Sequence, residues 1–223
     1  MNRATRYFGY RKLARQLRQP RGETGLKVAE RMNRSNCHLY DLTWKAMNIQ
    51  PGDSILEIGF GNGLFFEKLF GIAEGLQLKG IDFSETMWEE ACRVNQQALD
   101  SGRLTLVCGP CDSMDFPDEL FDLVYCINVV YFWKNPAAHL REIRRVLKPG
   151  GTFCATFRDP NSLARMPFTR FGFRTYSKEG WAELLSQNGF EYLGSMDTED
   201  PISGDLDNDT PFRSHAFIGK RID

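Results

Sequence analysis

The chain has 223 residues, 42 % of them hydrophobic and 17 of them Phe, enough to bury the core of one large domain. Its formal net charge of −1 gives no global attraction to nucleic acid or membrane. No apolar run approaches the ~20 residues that a membrane-spanning helix needs. The charge is segregated, however: residues 1–34 carry ten Arg or Lys against two Glu, and residues 189–212 carry seven Asp or Glu and no Arg or Lys. Such segregation marks a solvated face or an interaction surface.

The elements are predicted in chain order as follows. Tyr10, Leu13, Ala14 and Leu17 recur at helical spacing, with Arg11, Arg15 and Arg18 on another face. Two more helices are predicted at about 24–34 and 38–47. Residues 1–50 therefore read as a helical extension or lid, and 51–223 as the main domain. From residue 53 short apolar runs alternate with helical patterns, which argues for a parallel sheet with helices on both faces. Strands are expected at 54–60, 76–83, 104–109, 121–130 and 151–157. Ser84 is placed to cap a helix over 85–100, and Asn135 with Pro136 to open one over 136–148 that Pro149-Gly150-Gly151 stops. A third helix fits 178–188. The runs 190–196 and 215–222 follow without a helix between them, joined by an acidic loop, and should pair antiparallel. The fold class is thus α/β: a Rossmann-like, mostly parallel seven-stranded sheet with an antiparallel last strand and an N-terminal helical cap.

The segment DSILEIGFGNG, residues 53–63, reads as a strand running into a glycine-rich loop. Gly59, Gly61 and Gly63 remove Cβ atoms where backbone must approach a ligand. A dinucleotide loop needs Gly at the first, third and sixth positions, and here the sixth is Leu64. Glu57 would repel a pyrophosphate but can meet a cationic amine, which favours S-adenosylmethionine over NAD. Asp82 ends the second strand 19 residues past Gly63, where a carboxylate can accept from both ribose hydroxyls; capping the next helix is its other reading. Met87 suits either an adenine face or the core. Asp112 can accept from an adenine amino group, and Asn128, Val129, Val130 and Tyr131 should run beside the methyl group.

Together ILEIGFGNG, GIDFS, CDSMDFPDELFDLVYC and LREIRRVLKPGG resemble the class I S-adenosylmethionine-dependent methyltransferase superfamily, in particular its small-molecule type 11 group. The resemblance covers about residues 50–157 in sequence and the rest in topology. It implies that Glu57, Gly59 and Gly61 meet the methionine end, Asp82 the ribose and Asp112 the adenine. The whole cofactor set is then Glu57, Gly59, Phe60, Gly61 and Gly63; Asp82, Phe83, Ser84 and Met87; Cys111, Asp112 and Ser113; and Asn128 and Val129. The catalytic group stays open, with Tyr131, His38 and Asp41 as candidates for a general base.

Rival motifs are present. Cys108-Gly-Pro-Cys111 matches a thioredoxin tetrapeptide, but DSMDFPD is a poor helix start after it. No metal site is expected, since there is a single CxxC and the three His are scattered. The Arg-rich start has a superficial likeness to a mitochondrial presequence, yet no signal peptide is read and a reducing, cytoplasmic setting is expected. The leading function is methyl transfer to a small, partly apolar acceptor, with nucleic acid not expected as partner and a homodimer allowed for. One alternative is an RNA or protein methyltransferase that uses the basic arm; another is a non-catalytic adenosylmethionine-binding domain. The aromatic segment 158–176 and the N-terminal helices should cover the pocket.

Overall fold

The computed structural model describes residues 3–199 and 211–223, with side chains from residue 8 onward. Most of the acidic loop expected between the last two strands lies outside the described residues, as does the side chain of Tyr7. The strands are β1 Ser54–Ile58, β2 Gln77–Asp82, β3 Leu104–Cys108, β4 Phe121–Ile127, β5 Leu147–Arg158, β6 Phe190–Glu199 and β7 Arg213–Arg221. They form one seven-stranded sheet in the order β3-β2-β1-β4-β5-β7-β6. β1 to β5 are mutually parallel, and β7 runs antiparallel between β5 and β6. The chain winds outward from β1 to β3 and returns to β4 beside β1. That reversal opens a crevice at the carboxyl ends of β1 and β4, where sheets of this kind bind ligands.

Period-two alternation divides the core between the faces. Leu56, Ile58, Val124 and Cys126 face one cluster, with Leu140, Ile143 and Val146 of α6 (Pro136–Val146) and Trp181 and Leu185 of α8 (Lys178–Gln187). Ile55, Tyr125 and Ile127 face the other, with Leu39, Tyr40, Trp44 and Met47 of α2 (Gly22–Met47), Phe66 and Leu69 of α3 (Phe66–Phe70) and Ala91 of α4 (Glu85–Val94). Helix α1 spans Arg3–Arg18, the short α5 spans Gln96–Asp100 and α7 spans Pro160–Ala164.

Three sequence readings need correction. The helices predicted at 24–34 and 38–47 are one 26-residue helix, α2. The polar run Arg34-Ser35-Asn36 does not break it, because Ser35 Oγ bonds back to the Arg31 carbonyl and Asn36 has a partner across the crevice. The helix predicted over 85–100 is interrupted at Asn95, whose Nδ2 donates to the Gly63 and Ala91 carbonyls. Finally, the fourth strand stops at Ile127; Asn128 takes a φ of +58° and a 3-10 turn covers Val130–Phe132.

Candidate active site

A cavity of about 410 Å³ lies over the carboxyl ends of β1, β2 and β4, within the range of small-ligand sites. Its floor starts with the β1 loop. The three glycines serve different ends there. A Cβ on Gly59 would lie 2.4 Å from Val129 Cγ2, and one on Gly63 would lie 2.7 Å from both Ala91 Cβ and Asn95 Nδ2. Those two let the β4 turn and α4 pack close. Gly61 has a φ of +57° and nothing within 4 Å of a Cβ position, so it alone of the three leaves open space.

Asp82 fixes that loop from the end of β2. Its Oδ2 accepts the Gly61 N–H at 3.0 Å and its Oδ1 the Ser84 N–H at 2.9 Å. Ser84 caps α4 as its position predicts, accepting from the Met87 N–H at 3.3 Å. Burial raises the Asp82 carboxyl to about 6, against the lowering effect of both N–H donors.

Glu57 is only 3 % exposed and does not line the cavity. Its Oε1 accepts from the Tyr40 hydroxyl at 2.8 Å and its Oε2 from the Tyr125 hydroxyl at 2.7 Å. Burial lifts it to about 7, with Asp82 adding in the same direction against the two phenols. Neither carboxylate forms an ion pair among the described residues. Two buried acids without a cation make a site suited to a positively charged ligand.

Of the predicted cofactor residues, Gly59, Phe60, Gly61, Asp82, Phe83, Met87, Cys111, Asp112, Asn128 and Val129 line the cavity, whereas Glu57, Gly63, Ser84 and Ser113 do not. Tyr131 lines it too, with its hydroxyl donating to Asn128 Oδ1 at 2.8 Å and accepting the Arg158 N–H at 2.6 Å. His38 and Asp41 lie outside the lining; Asp41 pairs with Lys68. Burial holds the Cys111 thiol up at about 12, and burial also raises Cys108, the opposite of an activated redox pair. No group of three or more His, Cys, Asp or Glu among the described residues could hold a metal ion. No helix among them is long and apolar enough to cross a membrane.

Four contacts that the sequence reading missed build the roof. Asn33 and Asn36 of α2 donate to or accept from Asn62 at 3.1 Å and Asn128 at 3.2 Å. Gln19 donates to the Phe83 carbonyl at 3.1 Å, and Ser84 Oγ to the Pro20 carbonyl at 2.5 Å. The polar run inside an amphipathic pattern was the available signal. His139 is a further residue of the wall. It stacks on Trp133 at 4.8 Å and lines the cavity. Its Nδ1 lies 2.8 Å from the Asn135 carbonyl, which can only accept, so Nδ1 carries a proton and, in the neutral form of the ring, Nε2 is the acceptor.

Residues 56–155 match the sequence model of a methyltransferase domain family. The chain is 31 % identical over 125 residues to the methyltransferase YdaC of Bacillus subtilis, covering 56 % of this chain and 67 % of that protein. The chain belongs to the class I S-adenosylmethionine-dependent methyltransferase superfamily. It is 35 % identical over 136 residues to demethylmenaquinone methyltransferase of Symbiobacterium thermophilum, spanning 59 % of this chain and about half, 51 %, of that protein. Among solved structures, YcgJ of Bacillus subtilis superposes with a TM-score of 0.66 at 18 % identity, over 84 % of this chain and 99 % of that one. A geranyl diphosphate C-methyltransferase of Streptomyces coelicolor, which holds S-adenosyl-L-homocysteine, superposes with a TM-score of 0.71 at 12 % identity, over 92 % and 88 %. At those identities the likeness is one of fold. This methyltransferase therefore shares the sheet and crevice of its superfamily, and membership implies S-adenosylmethionine as cofactor.

Proposed function

We propose that this methyltransferase acts on a small, partly apolar acceptor held beneath α1 and α2. One observation carries the reading: the acidic and the aromatic parts of the cavity wall are separate. Both of its carboxylates among the described residues, Asp82 and Asp112, lie over β1 to β3 beside Gly61 and Met87, and Phe132, Leu163, Met166, Phe168 and Phe173 cluster on the β4 and β5 side with Lys134, His139 and Arg158. The first half suits a nucleoside, with Asp82 for the ribose hydroxyls, Asp112 for the adenine amino group and Met87 against the ring. Asp82 and the nearby buried Glu57 supply negative charge toward a cation. When bound, S-adenosylmethionine supplies an electrophilic methyl group on a sulfonium. The chain then has to exclude water and align the acceptor.

The aromatic half does both. Phe173 packs 5.5 Å from Tyr131 and 4.8 Å from Phe132 between ring centroids, and Phe168 packs 5.7 Å from Phe173. The hydrogen bonds of Tyr131 to Asn128 and Arg158 fit a residue that positions the wall better than one that takes a proton. Where an acceptor has to lose a proton, His139 Nε2 is the acceptor nitrogen in that wall.

Calorimetry with S-adenosylmethionine, S-adenosylhomocysteine and NAD tests the cofactor half. Binding of the two adenosyl ligands but not NAD is expected, with at least tenfold loss in Asp82→Ala. Normal binding by Asp82→Ala would sink the assignment. An acceptor panel of hydroxylated aromatics and isoprenoids, compared with RNA and protein extracts, tests the other half.

A further inference from the structure

Helix α1 has two faces. Leu13, Ala14 and Leu17 turn toward the protein, and Leu17 reaches the cavity. Phe8, Arg11, Lys12 and Arg15 are exposed, at a spacing that puts them on one side of the helix. Phe8 is 68 % exposed. The helix contains no acidic residue, and Arg11, Lys12 and Arg15 form no ion pair among the described residues. Its inner side touches α2 and the 3-10 turn Pro167–Arg170, which carries Phe168 of the cavity wall. The basic stripe is therefore the outer surface of the roof over an apolar half-site.

We propose that this stripe docks on an anionic lipid bilayer surface and sets the cavity at the interface where an apolar acceptor is held. Lys and Arg clustered on one helix face are drawn to an anionic leaflet, and the exposed Phe8 beside them is a ring that can enter the headgroup layer. Each cation near an anionic surface strengthens binding by roughly fivefold, so three together give roughly a hundredfold. With a whole-chain charge of −1, the attraction is local to this face. Single-stranded nucleic acid is bound by a charged groove with stacking platforms. A helix surface with one exposed ring among its described side chains offers neither. The inference stands apart from the cofactor assignment.

The test is co-sedimentation of the full chain with vesicles of phosphatidylglycerol and phosphatidylcholine, and with phosphatidylcholine alone. Binding to the anionic vesicles at low salt is expected, with loss at high salt. The variant Arg11→Gln/Lys12→Gln/Arg15→Gln should partition roughly a hundredfold less while its affinity for S-adenosylhomocysteine is unchanged. Should circular dichroism show that variant unfolded, Arg15→Gln alone, expected to lose roughly fivefold, decides the same question. Equal binding to neutral vesicles, or undiminished binding by the variant, overturns the proposal. So does displacement from the vesicles by a single-stranded RNA oligonucleotide that binds this stripe more tightly. Vesicle binding without S-adenosylhomocysteine binding would leave this inference standing and remove the cofactor reading.

Discussion

The hydroxyl of Tyr40 donates to Glu57 Oε1 at 2.8 Å, fastening the roof helix α2 to a buried carboxylate on β1. The other oxygen of that carboxylate is held by Tyr125 on β4, so one acid joins three elements. Its titration therefore reports on the integrity of the site.

Burial lifts Glu57 to about 7 in the folded protein from an ordinary 4.5. The folded state thus holds this proton more tightly than the unfolded chain. The stability so gained is complete below about pH 4.5 and is lost as pH rises through about 7, a change of roughly 3 kcal/mol at most. Glu57→Gln should flatten the fall in melting temperature between about pH 5 and pH 8, and should be no less stable than the native chain at the upper end. An unchanged slope, measured by calorimetric melts across that range, contradicts the assignment.

A cationic ligand should bind better once Glu57 and Asp82 are ionised. S-adenosylmethionine carries a sulfonium charge that S-adenosylhomocysteine lacks. Its affinity should rise from about pH 5 to pH 8, through values of about 6 for Asp82 and about 7 for Glu57. The rise should exceed that of S-adenosylhomocysteine. Titration calorimetry in buffers of different ionisation enthalpy should register proton release for the sulfonium ligand near the middle of that range.

Gly61 and Gly63 should separate ligand binding from folding. Gly63→Ala forces a Cβ to 2.7 Å from Ala91 Cβ, an overpacking that costs about 1–3 kcal/mol beyond the strain of its positive φ. Gly61→Ala meets no atom within 4 Å and carries only the φ strain, about 1–2 kcal/mol. Its loss should fall on S-adenosylhomocysteine affinity instead. Denaturant melts and ligand titrations on both variants read the two effects apart.

Arg145 should matter to the adenine end without touching it. It donates to the Met114 and Phe116 carbonyls at 2.9 and 2.8 Å and pairs with Glu142 and Asp118. The guanidinium thereby ties down the loop that follows Asp112. Lysine cannot reproduce the fork, so Arg145→Lys should cost about 1–3 kcal/mol and raise amide exchange across residues 112–118. Normal exchange in that loop would remove Arg145 from its support.

The parallel strands were legible because each is a short apolar run between turn residues, and Ser84 announced its cap by position alone. Asp82 at the end of β2 likewise follows from strand length. Glu57 was the instructive case. Period two along β1 places it beside Ile55, on the face that α2 covers, and so away from the strand's open end. That reading needs the register of α2, which brings Tyr40 opposite, and α2 itself was read as two helices. The amide contacts of Asn33 and Asn36 have no periodic signature; they span 29 and 92 residues of chain. His139 sits within the buried stripe of α6, and helical periodicity alone does not tell a core position from one that the cavity reaches.

Asn33 and Asn36 are one helical turn apart on α2 and grip the two adjoining lips of the crevice, the β1 loop and the turn after β4. A single turn thus ties together the two neighbouring strands at whose reversal the crevice opens. A displacement of α2 would therefore loosen both strand ends at once. Where a guest displaces α2, linkage makes that guest and a second one alter each other's affinity by the same factor.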